Sequence, residues 1–380
     1  MKCTSEYTIL LNKFIDIIGD NFLEKMVDKY DSDYKVHKFK TKEHLLSLLY
    51  YHLTEKDSLE DFVSELKGNN KLNKVLPEIS KSQISRKNED RDYKIFHDIF
   101  YHLFEQLKSQ TGYKKALKEI GAVKLLDSST ISCCLSLFPW AEFRSSKGGI
   151  KLHTLYDLNT EAPENIIISN AIIHDKEILN NLTFNPSYTY IFDRAYLDYQ
   201  KFDEFTANDI YFVTKLKSNA KIKYIRKMPS NKLDKQNNIL LDADVILGSE
   251  ISGTKMEQTL RLLKIKTKDR NNNFKVITIV TNRFDLNTQD ISNLYKYRWQ
   301  IELFFKWVKQ HLKIKRFFGH NKNAVFTQIY SALILFILLK LIKRETQFSG
   351  SLLELTRKIK YSIFMVVNNR FNWKRWLTCS

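Results

Sequence analysis

Glycine and proline are scarce, 10 and 5 of 380 residues, which excludes collagen-like, linker-like and low-complexity chains. Cysteine is scarcer still. The four present, Cys3, Cys133, Cys134 and Cys379, form no CxxC pair, which argues against a zinc ribbon or a disulfide framework and points to a reducing compartment. Acid is in deficit, with 43 Asp and Glu against 61 Lys and Arg. A long apolar run is missing too. The stretch Ile329 to Ile342, IYSALILFILLKLI, is 14 residues long and carries Lys340, whereas a bilayer span needs about 20. It reads as a buried helix, and no membrane role is expected. The opening MKCTSEYTILLNKFIDIIGD has acids among its apolar positions and reads as an amphipathic helix, not a secretory signal. The expected location is the cytoplasm of a bacterium, in association with its nucleoid.

What is present is enough for a core: 43% of the residues are hydrophobic, and the length suits two or three domains. The net charge of +18 calls for a polyanionic partner. Between Tyr295 and Ser380 there are 17 Lys and Arg and 3 acids, so +14 of that surplus lies in this last part. Its end, NNRFNWKRWLTCS, is basic and aromatic and suits phosphate contact better than burial.

Hydrophobic spacing divides the chain. Residues 1–120 are helical in pattern, and are expected to form a DNA-binding domain. Ser58 is placed to cap one helix, and SKSQISRKNEDR (80–91) follows a turn. Its polar residues suit either a helix-turn-helix recognition helix or a solvated helix face. Short branched or aromatic runs at 122–127, 151–158, 164–173, 189–193 and 210–217 read as strands, with helical stretches at 175–183 and 198–208. That order predicts an α/β fold with one central sheet over 121–217. Residues 218–285 look like a strand-rich insertion, 286–345 return to helix, and 346–380 form a basic tail.

The segment Leu294 to Phe317 concentrates the chemistry. On a helix advancing about 100° per residue, Arg298, Glu302 and Lys309 fall within roughly 60° of Tyr295. Lys306 lies in the same basic block as Trp307, a mixture that suits a nucleic-acid groove. A charged stripe on a helix otherwise rich in Phe and Trp must face polar groups. Asp127 and Asp193 close two of the predicted strands and, with Glu302, make a set of three hard oxygen donors. Such a set suits Mg²⁺, with Mn²⁺ as a substitute, and two such ions can serve in-line phosphoryl transfer. His153, His174 and Asp175 lie beside the strands and read as structural or surface groups; Cys133 and Cys134 read as small core residues.

These residues resemble the DDE transposases of bacterial insertion sequences, in particular the family named after insertion sequence four. Tyr295, Arg298, Glu302 and Lys309 match the spacing of its YREK signature. LLDSST (125–130) resembles its first aspartate block, and Asp193-Arg194-Ala195-Tyr196 its second, with Ala where Gly is commoner. The resemblance implies an RNase H-like core with Asp127, Asp193 and Glu302 as catalytic, metal-binding triad, and with Tyr295, Arg298 and Lys309 on transposon-end DNA. The 109 residues between Asp193 and Glu302 match a β-strand insertion. The implied reaction is hydrolysis at the element's end and attack of the freed 3′-OH on target DNA, cut-and-paste fashion. The implied partners are the terminal inverted repeats, the target duplex and a second copy of the chain in a homodimeric synaptic complex. Relatives pass through a DNA hairpin, stacking a flipped base on an aromatic residue of the insertion, often Trp. Residues 218–285 contain no Trp, which leaves Tyr224 or Phe274 for that contact. Two further readings stand beside this one: a metal-dependent nuclease that joins nothing, and a non-catalytic DNA-binding protein derived from a transposase.

Overall fold

Alternation in the strand Val123–Cys133 sets the plan of the molecule. Leu125 belongs to one apolar cluster and the adjacent Leu126 to a second, on the opposite face of the sheet, as a period of two requires. The computed structural model describes residues 7–378, apart from 57, 113, 115, 116, 119, 145, 146, 230–233, 235, 252, 270, 313, 315 and 316. Cys3, Cys379 and the cations at 313, 315 and 316 therefore lie outside the described residues.

The described residues begin with a short strand, β1 (Tyr7–Ile9), at positions the sequence read as helix. Helices α1 (Lys13–Ile18) and α2 (Asp20–Lys29) follow, parted at Gly19, whose φ of 89° suits glycine. Next come α3 (Thr41–Thr54), α4 (Leu59–Gly68), α5 (Lys81–Asp90) and α6 (Lys94–Ser109). Ser58 caps α4, accepting a hydrogen bond from the Asp61 amide, and Ser80 with Gln83 forms a reciprocal capping box at α5. Both starts match the sequence reading.

The sheet is built from β2 (Val123–Cys133), β3 (Glu142–Arg144), β4 (Lys147–Asp157), β5 (Ala162–Asn170), β6 (Thr189–Phe192), β7 (Tyr211–Lys215), β8 (Ile222–Lys227), β9 (Ile239–Leu247), β10 (Leu260–Lys268) and β11 (Phe274–Thr281). Their order is β3-β4-β2-β6-β7-β11-β10-β9-β8, with β5 on β4. The pairs β2–β6 and β6–β7 are parallel and the rest antiparallel. The strand-rich segment 218–285 is thus no separate sheet. Its strand β11 pairs with β7, Ile279 opposite Lys215, so the insertion prolongs the core sheet. Helix α7 (Tyr199–Ala207) covers the second face, where Phe202 and Phe205 meet Phe192 and Phe212.

The other face carries α8 (Thr288–Tyr297), α9 (Trp299–His311) and α10 (Lys322–Glu345), followed by α11 (Leu352–Ser362), β12 (Val366–Asn368) and α12 (Trp373–Thr378). Helix α10 is long and apolar enough to cross a membrane, yet 94% of that apolar stretch is buried in the protein, packed on α3, α5 and α6. The basic tail is folded. Strand β12 pairs with β1, and Trp373 is buried against Phe14, while the cations Arg370, Lys374 and Arg375 of that end stay exposed. Burial won there because the aromatic rings found apolar partners at the other end of the chain.

The helical N-terminal part is joined to the rest by polar contacts. His52 of α3 bonds the Leu312 carbonyl through Nδ1 (2.7 Å) and the Ser331 hydroxyl through Nε2 (3.0 Å). Asn323 of α10 donates to the carbonyls of Asn88 (2.9 Å) and Arg91 (2.8 Å) at the end of α5.

Candidate active site

Register brings the two aspartates together. Leu126 of β2 stands beside Phe192 of β6, and Phe192 beside Thr214 of β7. The next residues along these parallel strands, Asp127, Asp193 and Lys215, therefore come side by side. Period two puts Asp127 on the face of Leu125 and Asp193 on that of Ile191, the face on which α9 packs. Asp127 does not close its strand as read from sequence: β2 runs six residues further, to Cys133. Asp193 does follow the end of β6, and its carboxylate accepts the Ala195 amide at 3.1 Å. Ala195 is exposed, so no glycine is needed there.

Helix α9 supplies the third acid. Arg298 sits at the junction of α8 and α9 with helical backbone, φ −51° and ψ −30°, so one nearly continuous helix carries Tyr295, Arg298 and Glu302. The Arg298 guanidinium reaches all three carboxylates: Asp127 at 3.3 Å, Asp193 at 3.6 Å and Glu302 at 2.5 Å. Its Cζ lies 5.9 Å from the centre of the Tyr295 ring. Burial opposes the charge on Arg298, but Tyr295, Glu302, Asp127 and Asp193 outweigh it and raise the guanidinium above its ordinary pKa. Burial pushes the Asp127 carboxyl up to about 7; the Ser128 amide and Arg298 oppose this, while Asp193 and Glu302 add to it. Burial likewise raises the Tyr295 hydroxyl.

The four-residue stripe is thus only partly assembled around the acids. Lys309 donates to the Thr130 carbonyl of β2 at 2.7 Å, three residues beyond Asp127, and Lys306 is exposed. Among the described residues no three acidic, histidine or cysteine side chains close up tightly enough to hold a metal ion by themselves; the three carboxylates converge on a guanidinium. Such a donor set, all hard oxygen and all facing one positive charge, fits a divalent cation of the Mg²⁺ or Mn²⁺ type.

The other sequence candidates separate. His153 is buried, 3.0 Å from the Ser169 hydroxyl and 3.4 Å from Asp175, which is the structural role expected of it. Cys133 is half-buried and Cys134 exposed, so only the former approaches a core position. In the strand-rich segment Phe274 is 67% and Tyr224 39% exposed. Lys266 stands 4.2 Å and Lys268 5.5 Å from the centre of the Phe274 ring. Lys215 escaped the sequence reading altogether. The available signal was its place at the end of a strand parallel to that of Asp193, where sites collect in open α/β sheets.

A family model described as "Transposase DDE domain" matches residues 121–338, and one described as a domain of unknown function (DUF4372) matches 7–75. A putative transposase of Sinorhizobium fredii is 32% identical over 278 residues, 73% of this chain and 75% of that protein. A probable transposase for insertion sequence element IS5377 of Geobacillus stearothermophilus is 27% identical, over 74% of each chain. A putative transposase for insertion sequence element IS4SA of Synechocystis is 27% identical over 78% of this chain and 80% of that one. Among solved structures, the piggyBac transposase synaptic complex with hairpin DNA aligns with all of this chain and 83% of its own, at 13% identity and a TM-score of 0.49, too distant to bear on the site. The domain match spans the sheet that carries Asp127 and Asp193 and the helix that carries Glu302, and with the first of these relatives it establishes that the chain belongs to the DDE transposase family.

Proposed function

We propose that this transposase cuts the ends of an insertion sequence and joins them to target DNA by metal-dependent phosphoryl transfer, in the cut-and-paste manner. We place it in the branch named after insertion sequence four, with Tyr295, Arg298, Glu302 and Lys309 as its YREK residues. The observation that supports this most is the meeting of Asp127, Asp193 and Glu302, from two strands and a helix, around a single guanidinium. In the first step a water oxygen attacks phosphorus and the bond to the 3′ oxygen breaks, leaving a 3′-OH. In the second that hydroxyl attacks a target phosphodiester and expels the target's own 3′ oxygen. Mg²⁺ or Mn²⁺ held by the three carboxylates would act as Lewis acid and lower the pKa of the attacking oxygen.

The chain's own residues do the positioning. Arg298, now neutralising the acids, is close enough to turn to the scissile phosphate and offset its charge. Lys309, fixed to β2 through Thr130, and the exposed Lys306 suit adjoining phosphates. Phe274, exposed and flanked by lysines, is the better stacking surface for a flipped base, since any base offers a π-face.

The N-terminal helices carry a second DNA contact in this reading. A cavity of about 430 Å³ lies between the loop at residues 35–39 and helix α5, lined by Lys35, Lys38, Arg86 and Lys87. Buried Arg91 holds the loop, donating to the carbonyls of Ser32, Phe39 and Lys40. The active form is a homodimer, each copy holding one end.

The test uses a duplex carrying the element's terminal repeat, read from the DNA flanking the gene, with Mg²⁺. Glu302→Gln is expected to abolish cleavage while leaving binding of the end unchanged; undiminished cleavage would remove Glu302 from the site.

A further inference from the structure

The largest cavity touching the site lies on the side of Asp193 away from α9. It measures about 660 Å³ and is lined by Asp193, Arg194, Lys176 and Lys217. A second, of about 370 Å³, shares Lys176 and Lys217 with it and continues past Tyr199. Together they form one trough that starts at a carboxylate of the proposed triad. No residue of α8 or α9 lines either part.

The charges in the trough are unequal in their engagement. The acids that line it have partners: Asp193 with Arg298, Asp175 with Lys151 and His153, and Asp198 with the Lys201 amide. Lys176, Arg194 and Lys217 are exposed, and among the described residues none of them forms an ion pair. Three unengaged cations along a trough of nucleotide dimensions, next to the centre where phosphate would react, call for a phosphodiester chain.

Direction follows from the two sides. In the proposed function, which this inference presupposes, Arg298 and Lys309 on the helix side take the transposon end. We propose that the trough between Lys176, Arg194 and Lys217 holds the DNA strand on the far side of the reacting phosphate. That strand is the flanking donor DNA before cleavage and the target strand at joining. Tyr199, in the second part of the trough, offers a ring for stacking.

The experiment compares Lys176→Ala/Lys217→Ala with the wild-type chain on two duplexes, with Ca²⁺ in place of Mg²⁺ to hold cleavage off. One extends past the cleavage point and the other ends there. Affinity of the variant for the extended duplex is expected to fall about tenfold, with a salt slope lower by about 2, and affinity for the pre-cut duplex to stay the same. A second arm measures joining of the pre-cut duplex to a plasmid with Mg²⁺. Loss in this arm alone supports the trough as a path for the target strand, and loss of extended-duplex binding supports it as a path for the flank. Equal loss on both duplexes, or no loss in either arm, overturns the proposal. Thermal melting checks that these exposed substitutions leave the fold intact. Should the wild-type chain itself neither bind nor cleave the end, the proposed function fails and not this inference alone.

Discussion

Lys124 shows what a buried charge costs and why it is kept. It lies three residues before Asp127 on β2, with its side chain 4% exposed, and pairs with Asp157 and with Glu164. Burial opposes its charge, but the two carboxylates outweigh burial and raise its pKa. Removing the ammonium would strand the Asp157 carboxylate, 6% exposed, while Glu164, 22% exposed, keeps Lys108 at 3.8 Å. Lys124→Ala is therefore expected to destabilise the protein by about 3–5 kcal/mol, measured by urea denaturation, and Lys124→Arg by far less. A loss under 1 kcal/mol for the alanine variant would mean that water already reaches the pair. The same logic explains Arg298. Three carboxylates gathered on one face need a positive partner, and the guanidinium four residues before Glu302 supplies it. Both pairings join residues far apart in sequence, so spacing alone revealed only the Arg298–Glu302 half.

Among the elements, α3 is the seam between the N-terminal helices and the catalytic part. His52 and His44 both project from it and are fully buried, His52 against Leu312 and Ser331, His44 against Asn88. Burial pushes His52 down to about 4 and His44 down to about 3. Both values lie below the unfolded value near 6.5. The unfolded chain therefore binds protons first as pH falls, and stability present above about pH 6.5 is lost on the way down to those folded values. Between pH 7 and pH 5 each histidine is expected to remove about 2 kcal/mol. A urea series across that range should show the fall, and His52→Gln should remove about half of it. A slope that survives replacement of both histidines would assign it to other groups. The capped helices α4 and α5 were legible in sequence because caps are local. The strand at Tyr7–Ile9 was not, because its partner lies at Val366–Asn368.

For the whole molecule the question is how a charge of +18 is distributed. Sequence places most of it after Tyr295, but folding turns the aromatic residues of that end inward and joins them to the first helices. The groove at the 35–39 loop and α5, poor in charge surplus by sequence count, becomes a cationic surface only when Lys35 and Lys38 are brought to Arg86 and Lys87. If that groove takes DNA, Lys38→Ala/Arg86→Ala should lower the salt slope of end binding by about 2 and leave cleavage of bound DNA unchanged. Fluorescence anisotropy over a salt series reads the slope, and an unchanged value would remove the groove from the DNA path.

The sequence by itself singled out the three acids that the fold brings together, the basic helix that presents one of them, and five of the ten strands of the sheet. These rest on short-range rules, a period of two, a turn of about 100° and residue types at fixed intervals. Only the tertiary structure decided that the strand-rich segment prolongs the core sheet, that the basic tail pairs with the first strand, and that Lys215, Lys176 and Lys217 stand beside Asp193. Those facts depend on which strands pair and in what register, and pairing is a choice among distant partners that no local pattern encodes.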